Sequence, residues 1–91
     1  MTIEVRIPTI LRTYTNDERA VDAAGDDVRA VIANLESNYE GIAERLVENG
    51  EVRRFVNIYV NDEDIRFTGG LETATSDGDT VVILPAVAGG C

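Results

Sequence analysis

The chain has 91 residues and a formal net charge of −9, from 17 acidic and 8 basic residues. This length fits one small domain, and an apolar content of 44% favours a globular fold over a disordered chain. The negative charge argues against nucleic acid and against an anionic membrane as partners, because both require a basic face. A protein partner with a basic surface is therefore expected.

Two residue types are nearly or wholly missing. The chain has no histidine, which excludes histidine general bases and Ser-His-Asp or Cys-His catalysis. Its one cysteine, Cys91, has no partner for an internal disulfide. We therefore expect no enzyme activity, no bound metal and no bound cofactor. The amino terminus lacks a signal pattern and no apolar run approaches a membrane span, so a cytoplasmic location is expected.

The first elements are predicted from residues 3–23. Apolar residues alternate with charged ones from Ile3 to Ile7, which predicts a half-buried strand that ends at Pro8. A turn rich in Thr, Asn and Asp is predicted over 11–17. A weaker alternation over 19–23 predicts a second strand, paired with the first in a hairpin.

A helix is predicted to follow. Asp27 is a candidate N-cap, since its carboxylate can accept the free amide protons of the first turn. An apolar stripe then recurs at helical spacing and ends near Asn38 (Val28, Val31, Ile32 and Leu35). A further short helical segment is predicted over 42–47, followed by an Asn49-Gly50 turn.

The second half is predicted to be mainly strand. Near-continuous β-branched and aromatic residues mark a central strand over 54–60. The remaining predictions are a turn over 61–64, an edge strand over 65–67, a break at Gly69-Gly70, a tight turn over 77–79 and a last strand over 80–84. This order indicates an α+β domain over 1–85, with one long helix on one face of a mixed sheet, which is the β-grasp (ubiquitin-like) layout. Residues 86–91 are predicted to form a flexible Gly-Gly tail.

Most of the other motifs are interpreted as structural. The carboxylate groups at 62–64 and 77–79 lack the spacing of a calcium loop, so they are interpreted as solvated turn residues. Gly69-Gly70 lacks the P-loop lysine and the glycine spacing of a dinucleotide site, and is interpreted as a bend.

The carboxyl terminus stands apart, because residues 85–91 are small and uncharged and directly follow a predicted core strand. Fully extended, these seven residues would reach about 23 Å at ~3.3 Å each, enough to enter the active site of a docked enzyme. Composition alone leaves two interpretations open: a substrate-presenting tail or a frayed terminus.

Four sequence features together resemble the ThiS/MoaD family of ubiquitin-like sulfur carrier proteins. They are the strand over 55–61, Asp77-Gly78-Asp79, the strand over 81–85 and Gly89-Gly90. The opening over 7–12 and residues 57–67 are most similar to the members that serve an alternative route of cysteine biosynthesis.

The resemblance implies a role for the tail. An E1-like enzyme would use ATP to adenylate the Gly90 carboxylate and convert it to a thiocarboxylate. A PLP-dependent cysteine synthase would use that sulfur, and a JAMM-type zinc metallopeptidase would cut the Gly90–Cys91 bond. Val87, Ala88, Gly89 and Gly90 would thread into these active sites.

Cys91 departs from the family pattern, which ends at the second glycine. It is the attached product cysteine, an encoded residue that must be trimmed, or an engineered addition. Candidates for docking are Phe67, Leu84 and Val87, and also Phe55 or Ile58, although core packing is an alternative for all but Val87. The alternative functions are sulfur transfer toward molybdopterin, thiamine or a thio-natural product, a ubiquitin-like protein modifier, and a binding module with an incidental tail.

Overall fold

The computed structural model describes residues 2–53 and 56–85. Its helices are α1 (Val28–Asn38) and α2 (Ile42–Leu46), with 3-10 helices at Thr9–Tyr14, Ile65–Phe67 and Gly70–Glu72. Its strands are β1 (Ile3–Arg6), β2 (Ala20–Ala23), β3 (Val47–Glu48), β4 (Glu51–Val52), β5 (Val56–Val60), β6 (Glu63–Asp64) and β7 (Thr80–Pro85).

Five of these strands form one mixed sheet in the order β2-β1-β7-β5-β6. Strands β1 and β7 run parallel, while the other neighbours run antiparallel. Strand β7, the last strand among the described residues, therefore lies in the middle of the sheet, hydrogen-bonded on both sides. The α+β, ubiquitin-like fold predicted from the sequence is confirmed.

The core lies between the sheet and α1. Inward-facing residues of the central strands are almost wholly buried, among them Val5, Ile58 and Ile83. The predicted stripe of α1 supplies the opposite wall, and Leu35 at its centre has no exposed surface. Burial of such side chains contributes about 1.5–3 kcal/mol each, so this interface is the main source of stability.

The start of α1 is capped as predicted. The Asp27 carboxylate accepts a hydrogen bond from the Ala30 amide at 2.8 Å. The Val28 amide donates to the Thr73 carbonyl at 3.0 Å, so two of the amides freed by the helix start are bonded. These contacts also join the helix to the segment that leads into β7.

The predicted edge strand over 65–67 is wrong by two residues. Strand β6 is Glu63–Asp64, which lies within the predicted turn and pairs with Tyr59 and Val60. Asn61 and Asp62 both have positive φ, 50° and 71°, so they form a two-residue hairpin turn that returns the chain to the sheet earlier. Residues 65–67 form a 3-10 helix instead.

Two further segments differ from the predictions. The predicted turn over 11–17 overlaps a 3-10 helix, Thr9–Tyr14, which buries Leu11. The Asn49-Gly50 turn is present, but it joins β3 to β4 in a small separate hairpin that was not predicted. Arg54 and Phe55, predicted to begin the central strand, lie outside the described residues, as does the tail over 86–91. The boundary between domain and tail stays a prediction.

Candidate functional site

The structure describes the base from which the predicted tail leaves the domain. Pro85 is the last residue of β7 and pairs with Val56 of β5, next to Leu84 paired with Asn57. The predicted tail residues, Val87, Ala88, Gly89, Gly90 and Cys91, lie outside the described residues. The described part of the site is therefore the surface around Pro85.

The candidate docking residues differ in exposure. Leu84 keeps 45% of its surface exposed and Phe67 keeps 87%, while Ile58 is buried in the core. Phe67 belongs to the 3-10 helix after β6 rather than to an edge strand, and it is not among the residues that line the two depressions beside Leu84. Leu84 and Phe67 both remain accessible, but they do not share one cavity there.

Ile10 is an exposed apolar residue that the sequence analysis missed. It is 64% exposed, and with Pro8, Leu84 and Pro85 it lines two depressions on the surface around the tail base, of about 200 and 520 Å³. Strand β1 runs parallel to β7, so the segment after β1 reaches the same end of the sheet. The adjacent apolar pair Ile10-Leu11 was a usable signal, because a 3-10 helix buries only one of two such neighbours.

Arginine side chains surround this apolar surface. The larger depression is lined by Arg6, Arg12 and Arg19, and the smaller one by Arg45 and Arg53. Arg45 donates from Nε to the Tyr14 hydroxyl at 2.7 Å, which raises the pKa of Arg45 above its ordinary value. The site is thus basic, although the chain as a whole is acidic.

Carboxylates instead gather at the opposite end of β7. Asp77 accepts from the Thr2 amide at 2.6 Å and Asp79 from the Ser76 amide at 2.8 Å. Hydrogen bonds from the Asn61 side chain and the Ser76 amide lower the pKa of Asp79. These bonds hold the turn before β7, which supports a structural role for that carboxylate group.

Asp64 also has a structural role, as the hydrogen-bond acceptor of Arg66. Arg66 donates to its carboxylate from Nη2 at 2.7 Å and from the backbone amide at 2.9 Å. The side-chain bond, together with the backbone bond, lowers the pKa of Asp64.

Across residues 2–53 and 56–85, no three acidic, histidine or cysteine side chains converge to hold a metal ion. None of the helices described is both long and apolar enough to cross a membrane.

Comparison with known proteins agrees with the fold and places the chain among sulfur carriers. The sulfur carrier protein CysO of Mycobacterium tuberculosis is 60% identical over 93 residues, covering 99% of this chain and all of the relative. The crystal structure of that protein superposes with a TM-score of 0.91 at 59% identity, over 93% of this chain and 99% of that chain.

Two other relatives extend the comparison. A chain in the crystal structure of the Amycolatopsis orientalis BexX/CysO complex is 55% identical, with a TM-score of 0.92 over 96% of this chain and 98% of that chain. Small archaeal modifier protein 3 of Haloferax volcanii is 37% identical over 92 residues, covering 99% of this chain and all of the relative.

The family model covers nearly the whole chain. Residues 5–90 match the ThiS family, a span that includes the Gly89-Gly90 motif. The resemblance inferred from the sequence is therefore confirmed, and so is its closeness to CysO. Proteins of this type are small ubiquitin-like carriers rather than catalysts, as expected from the lack of histidine. The chain belongs to the ThiS family of sulfur carrier proteins.

Proposed function

We propose that this chain carries sulfur for cysteine biosynthesis as a thiocarboxylate on Gly90. The observation that carries the proposal is the 60% identity to CysO over almost the whole chain, together with a family match that extends through Gly90. The fold supports it, because the tail begins directly after a central strand fixed by neighbours on both sides.

The first stage activates the terminal carboxylate. A carboxylate is a poor electrophile, so an E1-like enzyme would join the Gly90 carboxylate to the AMP part of ATP, releasing pyrophosphate. A sulfide donor would then attack the acyl carbon and displace AMP, leaving the thiocarboxylate. ATP binds the partner in this scheme, and the carrier contributes only its terminal glycine.

The second stage passes the sulfur to a product. In a PLP-dependent cysteine synthase, the thiocarboxylate sulfur would form a bond to the β-carbon of an activated serine and take the place of the leaving group on that carbon. An S-to-N acyl shift would then leave cysteine bonded through its amine to Gly90. A JAMM-type zinc metallopeptidase would hydrolyse that bond and restore the Gly90 carboxylate, so PLP and zinc also belong to partner enzymes.

Cys91 fits this cycle in two of its three interpretations. As the attached product, it makes the chain the loaded intermediate. As an encoded residue, it blocks adenylation until a peptidase removes it. The Gly90–Cys91 bond is the scissile bond in both cases.

The domain acts as a handle that positions the tail. The five residues from 86 to 90, if extended, span about 17 Å at ~3.3 Å each, so a docked domain can deliver Gly90 into a recessed active site. The proposed contacts are Leu84 and Phe67 on the domain and Val87 at the start of the tail. Because the carrier in the BexX/CysO complex is 55% identical, we also expect this chain to form a comparable complex with BexX.

Intact-mass measurement tests the proposal directly. The chain is incubated with the JAMM-type peptidase, and then with the adenylating enzyme, ATP and sulfide. We expect loss of one cysteine residue, followed by exchange of one oxygen for sulfur. A variant that lacks residues 89–91 is the control and should undergo neither change. Retention of Cys91 with the active peptidase, or no sulfur gain on a chain that ends at Gly90, would refute the scheme.

The product that receives the sulfur can be tested separately. Molybdopterin, thiamine and thio-natural products require the same thiocarboxylate. A cysteine synthase and a JAMM-type peptidase encoded beside this gene would favour cysteine. Transfer of the sulfur to a different acceptor in a reconstituted reaction would favour one of the other products.

A ubiquitin-like modifier is the second candidate function. It is favoured by the 37% identity to small archaeal modifier protein 3. All eight basic residues are arginine, so the chain has no lysine on which to build chains of itself. Affinity purification under denaturing conditions would recover target proteins joined to Gly90 if this function is correct.

A further inference from the structure

Arginine and carboxylate side chains are segregated along the central strand. Five of the eight arginines line the two depressions around Pro85, and no carboxylate lines either of them among residues 2–53 and 56–85. The turn at Asn61-Asp62 and the turn over 76–79 lie at the other end, where the Asn61 amide donates to the Thr80 carbonyl at 2.9 Å. The surface around the tail base is therefore positive and the far end is negative.

The distance between the two ends of β7 determines which charges interact with a docked partner. Strand β7 spans six residues from Thr80 to Pro85, about 17–20 Å at ~3.3 Å per residue. The Debye length at physiological salt is about 8 Å, so the far carboxylates are largely screened from a surface in contact with Pro85. At contact, the partner therefore meets mainly the local arginines, of which Arg53 also pairs with the Glu48 carboxylate at 3.4 Å.

These arginines retain the capacity to bind carboxylates. Arg12 donates from Nε to the Ile7 carbonyl at 3.2 Å. This bond holds the side chain in place and does not use the two terminal guanidinium nitrogens. Arg6 pairs with Glu4 at 3.1 Å, but both side chains are about half exposed or more, so the pair is weak. A guanidinium offers five N–H donors and binds a carboxylate through two of them at once.

We propose that the surface around the tail base binds an enzyme face with an apolar centre and a rim of carboxylates at the entrance to its active site. Ile10 and Leu84 form the apolar contact, and Arg12, Arg19 and Arg45 meet the acidic rim. The inference rests on the proposed function, in which the tail enters that active site. For this face it reverses the expectation of a basic partner, which was drawn from net charge alone.

The same arrangement orients the encounter. An acidic rim attracts the arginine end of the carrier and repels the carboxylate end, so collisions that present the tail are favoured over those that present the far turns. Rim charges of this kind change the association rate constant more than the dissociation rate constant. Contact with Ile10 and Leu84 then slows dissociation.

Charge reversal at matched positions tests the inference, with BexX of Amycolatopsis orientalis as the partner. The first variant is Arg12→Glu with Arg19→Glu. The control is Arg29→Glu with Arg66→Glu, which changes net charge equally at two arginines that line neither depression. A third variant, Arg12→Lys with Arg19→Lys, keeps the charge and separates its effect from that of the guanidinium geometry. Thermal unfolding verifies each fold.

Association rate constants of the full chain are measured at low and high salt. We expect the first variant to bind about tenfold more slowly at low salt, with weaker salt dependence, while the control and the lysine variant stay within about twofold of the original chain. Faster binding by the first variant, or equal effects of both charge reversals, would overturn the inference. No binding of the original chain to BexX would also overturn it, whereas the mass changes at Gly90 would be unaffected.

Discussion

Removal of the Asp27 side chain is expected to destabilise the domain by a calculable amount. Its carboxylate accepts one hydrogen bond, from the Ala30 amide at 2.8 Å, while the Val28 amide is bonded separately to Thr73. Asp27→Ala therefore removes one cap bond, which costs about 1 kcal/mol. For a domain of this size, that corresponds to a fall in melting temperature of about 4–8 °C.

Two companion variants separate the hydrogen bond from the charge. Asp27→Asn keeps the oxygen acceptor and loses only the attraction to the helix dipole, about 0.3–1 kcal/mol. Asp26→Ala removes the same charge from an exposed neighbour, and we expect a change within about 0.5 kcal/mol. Calorimetry or circular dichroism measures all three melting temperatures. Equal losses for Asp27→Ala and Asp26→Ala would refute the assignment of the cap.

Three further predictions concern other parts of the domain. Gly25→Ala would place Cβ 2.6 Å from the Val31 amide nitrogen, so we expect a loss of about 1–3 kcal/mol, measured by urea unfolding; an unchanged midpoint would contradict this clash. Phe67→Ser should leave the melting temperature nearly unchanged, because the side chain is exposed, and a large fall would show hidden packing. Amides of Gly41 and Ala43 bond the Glu36 carboxylate and lower its pKa, so its contribution to stability is present above its ordinary pKa and is lost as pH falls through the lowered value. Glu36→Gln should therefore make the melting temperature less sensitive to acid, and equal acid sensitivity in both proteins would contradict the assignment.

Local patterns predicted the elements whose signals lie within a few residues. The alternation from Ile3 to Ile7 and the stripe around Leu35 each depend on one period of burial, and both elements are present. The edge strand was misplaced because two residues, Asn61 and Asp62, adopt positive φ, a choice that the sequence permits without requiring. The short β3–β4 hairpin was missed because each strand has only two residues.

The surface around the tail base was harder to predict than the tail itself. Gly89-Gly90 is visible as a motif, whereas the neighbours of Pro85 come from segments that are far apart in sequence, such as Ile10 and Arg45. The parallel pairing of β1 with β7 brings Ile10 to this end of the sheet, and Arg45 reaches it from α2, where it bonds the Tyr14 hydroxyl. Net charge likewise sums over the whole chain, so it could not reveal that the arginines gather at one end.

The central position of β7 has a mechanical consequence. A force applied along the tail pulls β7 lengthwise between β1 and β5, so it loads the hydrogen bonds of both ladders in shear. Bonds loaded in this way share the force and must fail together, whereas a strand peeled from a sheet edge loses its bonds one at a time. An enzyme that grips the tail and draws it inward would therefore move the whole domain before it could unravel the strand.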